Sequence, residues 1–308
     1  MIRVKNLVKH YGNVKAVNNI NFNINDGEIV GFLGSNGAGK STTLKMLTGY
    51  ISSTSGEVFI NDLNINDYSY EIRKLIGYLP ESNPLYMEMT VYDLLKFTAN
   101  IRGIYNIEFN NALDKVVEQC GLAGVMHKIV QSCSKGYKQR VGLASAMIHD
   151  PKILILDEPV TGLDPNQIVE VRELIKALGK EKLVLMSSHI LQEIEATVDR
   201  IIIIDQGKIV ADGKTDSLLN QFKGNIDLKL HIKGATKLKL NKLESHISNI
   251  NVVKIDKEKN GHLISLEYDQ KNDPREEIFN YIVKNKWLLL EMSQKSVNLE
   301  EIFRKITQ

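Results

Sequence analysis

Only two cysteines occur in the 308 residues, Cys120 and Cys133. Two thiols cannot build a disulfide framework, they suit a reducing compartment, and they give no support to a cysteine-based metal site. An excess of charge of one sign is also lacking, since 39 Lys and Arg stand against 37 Asp and Glu for a net charge of +2. That balance is too even to suggest nucleic-acid binding through bulk electrostatics, so any anion must be caught by a local site. No run approaches the roughly 20 consecutive apolar residues that a membrane-spanning helix needs. The most apolar stretches, around Ile153 to Leu156 and Ile201 to Ile204, have only strand length. The opening residues MIRVKNLVKHYG lack the apolar core and small-residue cleavage site of a secretory signal, which leads us to expect a cytoplasmic chain. If it helps to move something across a membrane, another chain must supply the channel. Internal repeats and low-complexity segments are missing as well.

What is present is ordinary for a folded protein: 43% hydrophobic and 25% charged residues, in a chain long enough for one large and one smaller domain. Up to about residue 219, short β-branched runs alternate with helical patterns, which predicts an α/β domain on a largely parallel sheet. Glu28 to Leu33 reads as a buried strand, GSNGAGKST as a glycine-rich loop, and Thr42 to Leu47 as a helix closed by Gly49. Between Thr90 and Cys120 the spacing of Val91, Leu94, Leu95, Phe97 and Thr98 is helical, which suggests an inserted helical subdomain over about 86–149. Lys152 to Leu156 and Lys182 to Met186 read as further buried strands with polar residues at their C-terminal ends, where open α/β sheets keep their sites. From 220 to 308 the order is strand, helix, strand, strand, helix, strand, the ferredoxin-like pattern of a small α+β domain. Its strands are expected at Asp227 to His231, Val252 to Asp256, His262 to Tyr268 and Leu288 to Met292, with helices near Leu240 to Ile247 and Pro274 to Lys284. Lys223, Lys229, Lys233, Lys237, Lys239 and Lys242 are interleaved with apolar positions there, the pattern of a solvated face.

Gly34-Ser35-Asn36-Gly37-Ala38-Gly39-Lys40-Ser41, followed by Thr42, fits G-x-x-x-x-G-K-[ST] between a strand and a helix. Glycines allow successive backbone N–H groups to turn inward as an anion nest, Lys40 adds charge at the β and γ phosphates, and Ser41 offers a hydroxyl to Mg²⁺. The apolar strand before Asp157 and Glu158 ends in two carboxylates. Asp157 is placed to hold Mg²⁺ and Glu158 to polarise an attacking water, although acidic residues also cap buried strands for solubility. A nucleoside phosphate with Mg²⁺ is therefore the expected ligand, with Lys40 and Glu158 in catalytic roles. A second hydroxyl-and-glycine pair, Ser134 and Gly136 in Ser132-Cys133-Ser134-Lys135-Gly136-Tyr137-Lys138-Gln139-Arg140, precedes a helical stretch from Tyr137 to His149. Taken alone it is either an ordinary N-cap or another phosphate-binding helix end.

With these motifs in this order, residues 1 to about 215 resemble the ATP-binding subunits of ABC transporters. The resemblance implies a P-loop NTPase fold of the ABC ATPase type with its helical subdomain. The Ser134–Gly136 segment is similar to that family's signature motif, Leu-Ser-Gly-Gly-Gln; Cys133, Lys135 and Tyr137 depart from it, although a Ser-Lys-Gly-Tyr form also occurs in a branch of the family. In the family the signature of one subunit closes over the nucleotide held by another. This implies a second ATP-binding subunit, expected to be an identical copy, and a separate transmembrane permease that holds the chain at the inner face of the membrane. The resemblance further implies that Tyr11 stacks on adenine, that Asp164 in Thr161-Gly162-Leu163-Asp164 reaches across the dimer, and that His189 senses the γ-phosphate. By themselves these are a packing tyrosine, a turn before Pro165 and a surface histidine. Glu81, after Tyr78-Leu79-Pro80, stands where the family generally has a glutamine that touches Mg²⁺; it either faces the metal or turns away to pair with a basic residue. The Cys133–Arg140 segment, Tyr78–Tyr86 and Leu299-Glu300-Glu301-Ile302-Phe303 look most like ABC-2 type exporters, nearest to gliding-motility-associated subunits. A soluble ABC-type ATPase without a permease is the alternative. Residues 220–308 carry no nucleotide motif and are expected to regulate or to support the dimer.

Overall fold

The computed structural model describes residues 1–190, 194–195, 197–215, 217–218, 226–269 and 272–295, in two compact units, Met1–Thr215 and Asp216–Gln308. The first unit closes ahead of the boundary expected near Leu219.

In the first unit, β1 (Ile2–Tyr11) and β2 (Val14–Ile24) pair antiparallel, and β4 (Ser55–Ile60) with the short β5 (Leu63–Asn64) completes a sheet of order β2-β1-β4-β5. The second sheet holds β3 (Ile29–Leu33), β6 (Ile76–Leu79), β7 (Ile153–Leu156), β8 (Leu183–Ser188), β9 (Arg200–Asp205) and β10 (Lys208–Lys214), in the order β10-β9-β3-β8-β7-β6. All neighbours in it run parallel except β10 and β9. Every residue of β3, β7 and β8 is buried, so these strands read as unbroken apolar runs rather than alternating ones, as a sheet covered on both faces requires.

Register fixes what these strands present at their C-terminal ends. Leu33 pairs with Ser188, Leu156 with Met186, and Leu79 with Leu156. The residues that follow the strands, Gly34, Asp157, His189 and Pro80, therefore emerge on one edge of the sheet.

Helix α1 (Lys40–Leu47) leaves the loop after β3, and α2 (Ser69–Leu75) leads into β6. The segment expected to be helical between Thr90 and Cys120 forms two helices, α3 (Val91–Ile101) and α4 (Asn106–Cys120). Gly103, at φ +81°, turns the chain between them. Thr90 caps α3 by accepting from the Asp93 N–H at 3.1 Å and donating to its carboxylate at 2.6 Å. Helix α5 (Lys135–Met147) starts two residues before the expected Tyr137, because Ser134 is its N-cap. Helix α6 (Pro165–Gly179) has Asp164 as its N-cap and proline in its first turn.

The second unit comprises β11 (Ile226–Lys233), α7 (Lys237–Leu240), β12 (Ile250–Glu258), β13 (Gly261–Tyr268), α8 (Arg275–Lys284) and β14 (Leu288–Lys295). Its sheet order, β12-β13-β11-β14 with every neighbouring pair antiparallel, is the ferredoxin-like arrangement. Ile226, Leu228, Leu230 and Ile232 point into its core while Lys229 and Lys233 are exposed, as period two demands. Lys237, Lys239 and Lys242 are exposed too, and Lys223 lies outside the described residues.

The helix expected over Leu240 to Ile247 does not form. Leu240, Leu243 and Ile247 are buried, so the spacing points inward, but the chain passes from α7 into a 3-10 turn at Leu243–Ser245. Ser245 donates its hydroxyl to the Lys242 carbonyl at 2.7 Å, a local bond that competes with a continued helix.

A chain ending at Leu219 should unfold in one cooperative thermal transition and still bind ATP. A soluble, folded truncation that has lost binding would show that the second unit completes the first.

Candidate active site

Backbone conformation shapes the loop after β3. Gly37 and Gly39 have φ of +81° and +109°, a region that side chains rarely adopt, and a Cβ on Gly34 would lie 2.5 Å from the Ile204 carbonyl oxygen on β9. Gly39 caps α1 without any side-chain acceptor. The first N–H groups of α1 thus face outward as an electropositive helix end. Lys40, 6% exposed, folds back over the loop and donates to the carbonyls of Gly34 at 2.8 Å and Ser35 at 3.3 Å.

Two buried carboxylates stand beside it. Asp157 accepts from Ser41 Oγ at 3.2 Å and from Ser187 Oγ at 2.6 Å. Glu158 adopts φ +51°, a left-handed conformation that costs a non-glycine residue about 1 kcal/mol. Its N–H donates to Ser187 Oγ at 2.9 Å, so one hydroxyl fixes both acidic residues. The Glu158 carboxylate is surrounded: Lys40 Nζ lies 3.5 Å from Oε1, while Thr161 Oγ1 donates to Oε2 at 2.9 Å and His189 Nδ1 sits 2.9 Å from it. Glu158 is only 5% exposed, and His189 is 36% exposed. Burial, with the charge of Asp157 added to it, pushes the nearby Tyr78 phenol well above its usual range.

Ser41 and Asp157 supply the hydroxyl and carboxylate oxygens that a hard divalent cation prefers. No cluster of three or more His, Cys, Asp or Glu side chains able to hold a metal occurs among the described residues. A cation here would draw its remaining ligands from phosphate and water, as Mg²⁺ commonly does. Asn36, Gly37, Lys40, Thr42, Glu81 and Glu158 line a cleft of about 290 Å³. Glu81 is exposed, also borders a neighbouring cavity of about 440 Å³ containing Ser41 and Asp157, and pairs with no basic residue among those described.

Other candidates fall elsewhere. Tyr11 is 50% exposed beside the β1–β2 hairpin with the Lys9 ammonium 5.3 Å from its ring centre, and it is Ala16 that reaches the cleft. Ser134, Gly136 and Asp164 line neither cavity. Ser134 Oγ accepts from the Tyr137 N–H at 3.3 Å and Asp164 Oδ1 from the Gln167 N–H at 3.0 Å, so both are helix caps. Sequence reasoning missed Ser187 and gave Thr161 no role of its own. The available signal was a pair of hydroxyls, Ser187 and Ser188, closing an otherwise apolar strand.

Comparison with known proteins identifies relatives of the whole domain. The family described as ABC transporter matches residues 17–161. The bacitracin transport ATP-binding protein BcrA of Bacillus licheniformis is 42% identical over 232 residues, covering 75% of each chain. The linearmycin resistance ATP-binding protein LnrL of Bacillus subtilis is 30% identical over 314 residues, covering 100% of this chain and 98% of its own. Among solved structures, the dimeric post-hydrolysis state of the ATP-binding cassette MJ0796 bound to ADP and Pi superposes with a TM-score of 0.64 at 27% identity. It covers 70% of this chain and 98% of its own.

Ser187→Ala removes the hydroxyl shared by Asp157 and the Glu158 N–H. The buried N–H left without an acceptor should lower stability by about 1–3 kcal/mol in denaturant titrations, and ATP turnover should fall. Unchanged stability and turnover would show that the hydroxyl is dispensable.

Proposed function

The chain belongs to the ABC transporter family as an ATP-binding, ATP-hydrolysing subunit, and from that premise we propose a role for each residue of the site and for the motion it drives. The observation that carries the proposal is the convergence of Lys40, Thr161 and His189 on the Glu158 carboxylate. The loop Gly34–Thr42 cradles the phosphates with its N–H groups, and Lys40 neutralises the β and γ phosphates. Ser41 and Asp157 would hold Mg²⁺, and Glu81, which borders the same cavity, would add a carboxylate oxygen to it. Bound Mg²⁺ offsets phosphate charge that the protein alone would have to balance.

Glu158 acts as the general base towards water, held by Thr161. His189 reads the γ-phosphate: that phosphate competes with Glu158 for both Lys40 and His189, so nucleotide arrival frees the base at the moment it is needed. Tyr11, exposed at the end of β1 and outside the cleft that Ala16 reaches, is free to supply the adenine-stacking surface.

Ser134 and Gly136 stand at the end of α5 and line neither cavity around Lys40. A second copy facing this one would give that helix end a phosphate to bind, with Asp164 at the junction. ATP then joins two subunits, and loss of the γ-phosphate releases them. No helix among the described residues is long and apolar enough to cross a membrane. The motion passes to a separate transmembrane permease, which places the chain on the inner face of the membrane. We assign the direction as outward, supported by the relatives named for bacitracin transport and linearmycin resistance. The gliding-motility likeness rests on the segments already quoted, of which Leu299–Phe303 lies outside the described residues.

Glu158→Gln should retain ATP binding, lose turnover by about a hundredfold or more, and elute as a dimer with ATP, whereas Lys40→Ala should not bind tightly. A strictly monomeric Glu158→Gln protein at saturating ATP contradicts the shared site. Glu81→Gln should need more Mg²⁺ for half-maximal turnover while keeping a substantial maximum. Superimposable Mg²⁺ titrations would place Glu81 away from the metal.

A further inference from the structure

The two helix ends that carry Ser134 and Asp164 are interlocked by two glycine notches. Gly162 has φ +72°, and the position a Cβ would take there is filled by the Lys135 ammonium, with Cε 3.1 Å from it. In return, a Cβ on Gly136 would lie 2.5 Å from Gln167 Cδ, so Gln167 fills the notch at the start of α5. Arg140 on α5 pairs with Glu170 on α6 one turn further on. Each segment thus seats a side chain in the other's glycine at the surface of the domain, and the Arg140–Glu170 pair adds a further tie between the two helices. Lys135 pairs with no carboxylate among the described residues, so its stem and position, rather than an ion pair, engage the notch.

The lock leads directly to the base. Thr161 adjoins Gly162, and its hydroxyl holds Glu158 Oε2. We propose that Lys135 and Gln167 are positioning residues that tie the Ser134–Gly136 end to the Thr161–Asp164 loop. Engagement of that end by a phosphate held in a second copy then sets the Glu158 carboxylate in this one. The inference rests on the shared-site reading above and goes beyond it by naming the path from one nucleotide to the other subunit's base. Lys135, which departs from the usual glycine of the signature, is the means by which this chain makes that connection.

The test is ATP hydrolysis by the full chain against ATP concentration. Lys135→Ala and Gln167→Ala should each lower maximal turnover about five- to tenfold, with nucleotide affinity at the phosphate loop within about twofold of wild type. Lys135→Met, which keeps the stem without the charge, should recover most of the turnover. In a Thr161→Val background, where the hydroxyl to Glu158 is gone, Lys135→Ala should have no further effect. Wild-type turnover in Lys135→Ala, or an undiminished effect in Thr161→Val, overturns the lock. Lys135→Met as impaired as Lys135→Ala, with a raised half-maximal ATP concentration, would make the ammonium a phosphate ligand instead. The dimerisation of Glu158→Gln with ATP separates the two levels: if the dimer forms and Lys135→Ala is inert, only the lock fails, and if no dimer forms, both fail.

Discussion

The shared register of β3, β8 and β7 is the constraint on which the rest of the site depends. Three buried parallel strands run in fixed register, with Leu33 opposite Ser188 and Leu156 opposite Met186, two residues earlier. Residues far apart in sequence therefore reach one another within hydrogen-bond distance: Lys40 after β3, Asp157 and Glu158 after β7, His189 after β8. A slip of one residue in any of these strands would turn its side chains to the other face of the sheet and dissolve the cluster. The apolar faces that hold the register are also what make the three strands so uniformly hydrophobic.

Upon that edge the chain accepts a strained residue. Glu158 sits at φ +51°, and Ser187, Thr161, Lys40 and His189 hold it there. The carboxylate is buried with two basic side chains beside it, so it is never isolated in low dielectric. The same neighbours are groups that a γ-phosphate attracts. Glycine notches extend this arrangement outward. Asn83, which follows Glu81 in the loop after β6, donates its amide to the Lys138 carbonyl of α5 at 3.1 Å, beside the close contact it makes with Gly142. Gln167 and Lys135 join α5 to the loop that carries Thr161. Helix α5 is thus held between two loops that flank the site.

Much of this was legible in the sequence where chemistry and geometry coincide. The phosphate loop could be read because glycine, lysine and serine at that spacing between a strand and a helix have few alternative uses, and β7 could be read because a sheet covered on both faces leaves no polar position in the strand. Ser187 could not be read. A hydroxyl at a strand end gains its meaning only from the strand beside it, some thirty residues away. The notches at Gly136 and Gly162 were hidden for the same reason, since a glycine does not announce which side chain will fill it. The failed helix at Leu240–Ile247 shows the converse: burial spacing alone does not distinguish a helix from a helical turn followed by a 3-10 turn that points the same residues inward.

The account stands on the claim that one copy's α5 end completes the site of another, and mixing two crippled chains tests it most directly. Ser134→Arg keeps an intact phosphate loop but blocks the helix end, while Lys40→Ala keeps the helix end but loses the loop. Each alone should be inactive, and their mixture should recover ATP hydrolysis, because the pairing of one with the other restores one complete site. A mixture no more active than its two components would contradict the shared site.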